Sequence, residues 1–126
     1  MNDPAGRLTG PVEIVGTGLI GTSIGLACRR AGLEVLLSDA STAHLRTASG
    51  LGAGRPRTDA DRPQLVVVAV PPDHLAEEIS RALAASDAVV TDVGSVKSAP
   101  LAAVAGGPGA GRYVGSHPMA GSERSG

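Results

Sequence analysis

The sequence predicts an α/β fold, a doubly wound parallel sheet with helices on both faces, and three observations carry that expectation. Short runs of Val, Leu and Ile alternate along the chain with stretches of helical periodicity, and such alternation folds back on itself as a layered α/β unit. One run, Leu65-Val66-Val67-Val68-Ala69-Val70, is apolar at six successive positions, which means burial on both faces, as at the centre of a parallel sheet. The 126 residues hold one Tyr, no Phe and no Trp, so the core must be aliphatic, and aliphatic β-branched cores suit strands sheathed by helices. The length is that of one domain. A frayed polar lead-in is expected over residues 1–11 and the folded domain over 12–126, with strand order 3-2-1-4-5-6.

The first element sets the rest. Val12-Glu13-Ile14-Val15 reads as a short buried strand that turns through Gly16-Thr17-Gly18-Leu19-Ile20-Gly21 directly into a helix. Gly16 permits the tight turn, Gly18 lets a pyrophosphate approach the backbone, and Gly21 allows the helix to pack closely on the strand. The helix opens at Leu19, so its free N–H groups and positive dipole end face the anion. Ile20, Ile24, Ala27, Cys28 and Ala31 recur at helical spacing as one expected buried stripe, and Gly25 continues a row of small residues. Arg29 and Arg30 suit the negative end of the dipole, and Gly32 is placed for a left-handed cap. This is the fingerprint of a Rossmann-like dinucleotide-binding domain.

The second strand, Glu34-Val35-Leu36-Leu37-Ser38-Asp39, ends in a carboxylate 18 residues beyond Gly21, where an acid would bind the adenosine ribose hydroxyls. The plainer alternative for Asp39 is a loop acid or a cap ahead of the next helix. A carboxylate there repels a 2′-phosphate, and Ala40-Ser41-Thr42-Ala43 offers no Arg or Lys to receive one, so NAD is expected over NADP. Arg46 would sit more than a turn away.

A short helix follows over Ser41 to Ser49, capped by Ser41 or Thr42, with His44 on its surface. Gly52 to Pro63 loses any period; a short third strand is compatible with it, and Arg55 to Arg62 reads as solvated loop. Pro71-Pro72 stops the central strand, and Asp73 is expected to cap a helix that buries Leu75, Ile79 and Leu83, with His74 exposed in its first turn. Val70 and Pro71 would border the ligand crevice at the carboxyl end of that strand. Ala88-Val89-Val90-Thr91-Asp92 is the next strand. Ser95 lies just past its carboxyl end, either capping a helix over Val96 to Val104 or aiming its hydroxyl into the crevice. Tyr113 to Ser116 reads as a last short strand that delivers His117.

Composition excludes other classes. The net charge is −1 with both signs interspersed, so neither nucleic acid nor an anionic membrane is an expected partner. The lack of aromatics argues against base-stacking modules. Cys28 is the only cysteine, on an apolar stripe, so it is expected to pack and not to react. No metal site, membrane span or signal peptide is expected, and the location inferred is cytoplasmic.

Oxidising a carbinol carbon with a nicotinamide needs a group to take the hydroxyl proton, and histidine titrates in the right range. His117 follows the last strand at the edge that carries the pyrophosphate turn, in a bend stiffened by Pro118. Its position alone leaves catalysis and a structural role equally open.

Three runs of residues together narrow the reading. Gly115-Ser116-His117-Pro118-Met119-Ala120-Gly121-Ser122-Glu123-Arg124-Ser125-Gly126 resembles the signature loop of the prephenate dehydrogenase family, the prephenate and arogenate dehydrogenases of tyrosine biosynthesis. Thr91-Asp92-Val93-Gly94-Ser95-Val96-Lys97 is similar to that family's second motif, and Val15 to Gly25 to its cofactor loop. The resemblance implies NAD-dependent oxidative decarboxylation of prephenate to 4-hydroxyphenylpyruvate. It implies His117 as acceptor of the hydroxyl proton, Ser95 as the residue aligning that hydroxyl with the nicotinamide, and Glu123 at the mouth of the substrate site. It leaves Lys97 a structural cation. Family members continue into a helical domain that dimerises and supplies cations for the substrate carboxylates. The sequence stops at Gly126, so this chain is expected to be the cofactor half, binding NAD and turning over prephenate or arogenate poorly by itself. Two other readings stay open on the residues alone: another NAD-dependent dehydrogenase of the β-hydroxyacid or imine reductase type, and a nucleotide-binding module without turnover.

Overall fold

A computed structural model describes residues 9–93 and 110–115. Five strands form one sheet in the order β3-β2-β1-β4-β5, every pair parallel. They are β1 (Val12–Val15), β2 (Val35–Ser38), β3 (Arg55–Pro56), β4 (Leu65–Val68) and β5 (Val89–Asp92). The helices are α1 (Leu19–Arg30), α2 (Thr42–Gly50) and α3 (Pro72–Ala85). The order reverses direction between β1 and β4, so the chain winds outward both ways from the central pair. This is the Rossmann-like fold expected from the sequence.

Alternation along each strand divides the apolar residues between two cores. Val12 and Ile14 of β1, Val35 and Leu37 of β2 and Val67 of β4 are buried with Ala48 and Ala53, and Ile24, Cys28 and Leu45 from α1 and α2 pack on them. Val66 and Val68 of β4 and Val90 of β5 face the other way, onto Leu75, Ile79 and Leu83 of α3. The run from Leu65 is thus buried on both faces, as its lack of alternation required. The strand itself ends at Val68, two residues short of the apolar run, because Val70 already bends into the Pro71-Pro72 stop.

Two details of the helices depart from expectation. The buried side of α1 is not the full stripe from Ile20 to Ala31. Gly21 and Gly25 are its buried residues, Ile24 and Cys28 are half-buried beside them, and Ala27, Ala31 and the 58% exposed Ile20 face outward. The helix lies so low that small residues define the contact: a Cβ on Gly25 would stand 2.8 Å from the Ala53 carbonyl oxygen. Nor does Asp73 cap α3. Pro71 is the N-cap, Pro72 opens the helix and the Asp73 side chain stays exposed in the first turn, since a proline already fits where no N–H is needed. At α2 the expected cap is present, with Ser41 Oγ accepting from the His44 N–H at 3.2 Å.

The stretch from Arg55 to Arg62 is more ordered than a solvated loop. Arg55 in β3 pairs with Glu34 and Asp61, both at 2.7 Å. The hydrogen bond from Arg55, followed by that from the Thr58 N–H, draws the Asp61 carboxyl well below its usual range. Arg57 turns inward instead, with Nε 3.1 Å from Glu13 Oε1, while Ser38 Oγ donates to Glu13 Oε2 at 2.8 Å.

Beyond β5 the described chain resumes with a 3-10 turn at Ala110–Arg112. Tyr113 bridges Val90 in parallel and the Val114 N–H donates to the Val90 carbonyl at 2.8 Å. One bridge, not a full strand, occupies the sixth position among the described residues. The lead-in 1–8, Ser95, the stretch Val96 to Val104, His117 and Glu123 lie outside the described residues.

Arg112 holds this last segment. Its guanidinium donates to the carbonyls of Leu83 and Ser86, each at 2.6 Å, and of Ala88 at 2.9 Å, closing the end of α3 against the start of β5. Arg112→Ala leaves those carbonyls without that donor and is expected to cost about 2–3 kcal/mol in urea unfolding, with Arg112→Lys recovering part of it. Unchanged stability of the alanine variant would show the contacts to be replaceable by water.

Candidate functional site

The carboxyl ends of β1, β2 and β4 meet at one edge, and the site is built from the residues that leave them. The register places Val15 beside Ser38 on one side and Val68 on the other. Pairing continues one step past the strands, with the Gly16 N–H donating to Ser38 O at 2.8 Å and the Ala69 N–H to Val15 O at 2.7 Å. The glycine turn is therefore fixed between two neighbours before the helix begins.

Each glycine of the turn meets a different constraint. Gly16 has φ +98°, and a Cβ there would also lie 2.7 Å from the Ala69 carbonyl oxygen. A Cβ on Gly21 would come within 1.9 Å of the Gly16 carbonyl oxygen, so α1 rests directly on the turn. Around Gly18 there is nothing within 4 Å. Its side faces open space, directly before the first turn of α1, whose leading N–H groups have no intrahelical acceptor. No side chain caps that end. Leu19 and Ile20, the next residues, are exposed as well.

Asp39 follows β2 and faces the same turn. Its Oδ2 accepts from the Thr17 N–H at 2.6 Å and from the Thr17 hydroxyl at 2.7 Å, and its Oδ1 accepts from the Ser41 N–H at 2.7 Å. Burial pushes the Asp39 carboxyl upward, but the hydrogen bonds from Thr17 and Ser41, helped by the nearby His44, outweigh it and leave the group below the usual carboxylate range. Asp39 is thus a loop acid that organises the α2 entry, and it stands ionised at the carboxyl edge of the sheet beside the glycine turn.

Val70 and Pro71 flank the other side of the turn, with a Val70 methyl 3.0 Å from where a Gly16 Cβ would be, and Pro71 exposed. Gly16, Thr17, Gly18, Leu19, Ile20, Gly21, Asp39, Val70 and Pro71 therefore converge on one edge. Ser95, His117 and Glu123 fall outside the described residues, and the nearest described positions to them are Val93 and Gly115.

Thr17 is expected at the cofactor site as part of the glycine turn, but the bond its hydroxyl makes to Asp39 carries no sequence signal, because the residue sits in a variable position of the motif. The Ser41 N–H could have been found from the Asp-x-Ser spacing, since an aspartate readily accepts from the N–H two residues on. Tyr113, the one aromatic residue, donates its hydroxyl to Asp92 Oδ1 at 2.5 Å. Asp92 ends β5 and is fully buried. Burial, then the Asp92 contact, raises the Tyr113 phenol far above its ordinary value. Among the described residues no group of three or more His, Cys, Asp or Glu could hold a metal ion, and no helix is long and apolar enough to cross a membrane.

This arrangement matches known proteins. The family profile described as "Prephenate dehydrogenase, nucleotide-binding domain" matches residues 24–126. A probable prephenate dehydrogenase, NovF of Streptomyces niveus, is 41% identical over 115 residues, which is 90% of this chain and 32% of that protein. The crystal structure of prephenate dehydrogenase from A. aeolicus, in complex with hydroxyphenyl propionate and NAD+, superposes with a TM-score of 0.73 at 30% identity. It covers 89% of this chain and 42% of that one. A putative prephenate dehydrogenase from Corynebacterium glutamicum gives a TM-score of 0.72 at 31% identity, covering 92% of this chain and 39% of that one. The chain thus spans between a third and about two fifths of these relatives. With the glycine turn, the acid after β2 and the family profile in agreement, the chain belongs to the prephenate dehydrogenase family, and the matched region is the family's nucleotide-binding domain.

Proposed function

We propose that this chain is the NAD-binding part of a prephenate dehydrogenase, an enzyme of tyrosine biosynthesis. The observation that carries the reading is the open space at Gly18, set between the first turn of α1 and the Asp39 carboxylate. A side chain there would fill a cradle that a pyrophosphate fits. The leading N–H groups of α1 would hold the phosphates, Asp39 would accept a ribose hydroxyl, and Val70 and Pro71 would wall the crevice. Thr17, Leu19 and Ile20 complete the lining. The bound dinucleotide would supply the acceptor for hydride.

The remaining chemistry falls to side chains carried over from the family's motifs. His117 would take the proton of the substrate hydroxyl, and Ser95 would orient that hydroxyl. Glu123 would stand at the substrate entrance. As the carbinol carbon becomes a carbonyl, the ring carboxylate would leave as carbon dioxide and its bonding electrons would enter the ring; the oxygen, left as a phenolate, would take the proton back from His117, and aromatisation makes the sequence favourable. The protein's contribution is alignment and removal of one proton. The prephenate dehydrogenases that the chain resembles support this class of small-molecule substrate, prephenate or arogenate. A cytoplasmic enzyme that dimerises, with residues 12–126 as its nucleotide domain, is the form in which we place the chain.

Three measurements test the assignment. Gly18→Ala keeps an ordinary φ of −73° and meets no neighbour, so it should leave the melting temperature unchanged while weakening NAD binding by tenfold or more, roughly the loss of one good phosphate contact. Equal NAD affinity in that variant would exclude Gly18 as the pyrophosphate cradle. In the enzyme that contains this chain, His117→Asn is expected to lower kcat by about 10²–10⁴ with NAD affinity within about twofold, as for loss of a general base. The third is a pH titration of NAD affinity. Because Asp39 is depressed in the folded state, its charge persists down through the ordinary carboxylate range, so affinity should stay level from neutral pH through that range and fall only below it. A midpoint near pH 6 would assign control to another group.

A further inference from the structure

The Asp39 carboxylate has four acceptor positions, two on each oxygen. Three are filled from within the protein: both positions on Oδ2 by the N–H and hydroxyl of Thr17, and one on Oδ1 by the Ser41 N–H. Thr17 is itself buried and fixed, its carbonyl accepting from Thr22 Oγ1 at 3.0 Å. Two different elements therefore grip opposite ends of the carboxylate, the glycine turn on one oxygen and the entry to α2 on the other. Rotation about the Asp39 side chain in either direction breaks at least one charge-assisted hydrogen bond.

We propose that the Thr17 hydroxyl is a specificity-determining group, which pins the Asp39 carboxylate at the ribose end of the crevice so that it cannot turn aside for a dinucleotide bearing a 2′-phosphate. The inference rests on the dinucleotide reading and deepens it. A free aspartate facing a phosphate has an escape, because it can swing to another rotamer and let water or a cation take its place. Here that escape is closed by three hydrogen bonds, one of which depends on a side chain. The fourth position, on Oδ1, stays available for one ribose hydroxyl, so the clamp permits the unphosphorylated ligand while holding the charge that rejects the phosphorylated one. Among the described residues His44 is the group whose charge acts on Asp39; it is exposed on α2, and its effect is smaller than that of the hydrogen bonds.

The test is the ratio of dissociation constants for NADP and NAD, measured by titration of the purified chain at one ionic strength. Thr17→Val removes the hydroxyl and keeps the shape, and it should shrink that ratio about tenfold, mainly by improving NADP binding, as expected for loss of one charge-assisted hydrogen bond. Thr17→Ser restores the hydroxyl and should restore the ratio. Thr17→Ala is the second deletion of the hydroxyl should the valine not fold, and it is expected to behave as the valine does. Asp39→Asn is the reference, in which discrimination should collapse. If neither deletion variant alters the ratio by more than about twofold while Asp39→Asn abolishes discrimination, the clamp is overturned and the dinucleotide site stands. If the wild-type chain binds neither nucleotide, the site reading fails and the clamp with it.

Discussion

The contact on which the structure depends is backbone against backbone, at the point where α1 sits on the turn that precedes it. A Cβ at Gly21 would lie 1.9 Å from the Gly16 carbonyl oxygen, so helix and turn approach more closely than any side chain permits. That approach brings the first turn of α1 to the carboxyl edge of the sheet, with its unpaired N–H groups at the rim. It also directs the buried Thr17 sideways toward β2. Since Val15 and Ser38 are register partners, the residues after each strand emerge side by side, and Asp39 meets Thr17 without any special device.

The same sheet carries a buried charge in its central strand. Glu13 lies on the α3 side of β1, answered by Ser38 Oγ from β2 and by Arg57 from the loop after β3. A lone carboxylate there would be expensive to desolvate, and pairing it with a cation and a hydroxyl offsets that cost while joining three adjacent strands. Ser38 is thus shared between layers: its side chain serves Glu13 and its carbonyl receives the Gly16 N–H. The site's glycine turn and the buried pair are therefore coupled through one residue.

The carboxyl and amino edges of the sheet rely on different kinds of contact. At the carboxyl edge, hydrogen bonds to Asp39 hold open a rim that includes exposed Leu19 and Ile20. At the opposite edge, Arg112 closes the end of α3 with three carbonyl contacts and Arg55 ties Glu34 to Asp61. Rigidity at the base leaves the rim as the face that can receive a ligand, in keeping with the rule that open α/β sheets bind where the strand order reverses.

Much of this was legible in the sequence because it is local. The period of the apolar residues marked the strands and helices, the glycine spacing marked the turn, and Asp39 stood at the distance the motif demands. What the sequence could not decide were contacts between residues far apart in the chain. Helical spacing counts Ile20 and Ala27 with Gly21 and Gly25, but only the nearness of Ala53 and Gly16 shows that α1 packs on its glycines and turns Ile20 outward. Arg57 read as solvated charge until the sheet placed Glu13 beside it, and Tyr113 had no evident partner before β5 presented Asp92. The Thr17 hydroxyl, at a variable position between two glycines, finds its partner in a carboxylate 22 residues away. Sequence alone determined the elements and their order, since those follow from periodicity and steric limits on single residues. Tertiary structure decided which polar groups are paired, because hydrogen bonding depends on distances that only the assembled sheet sets.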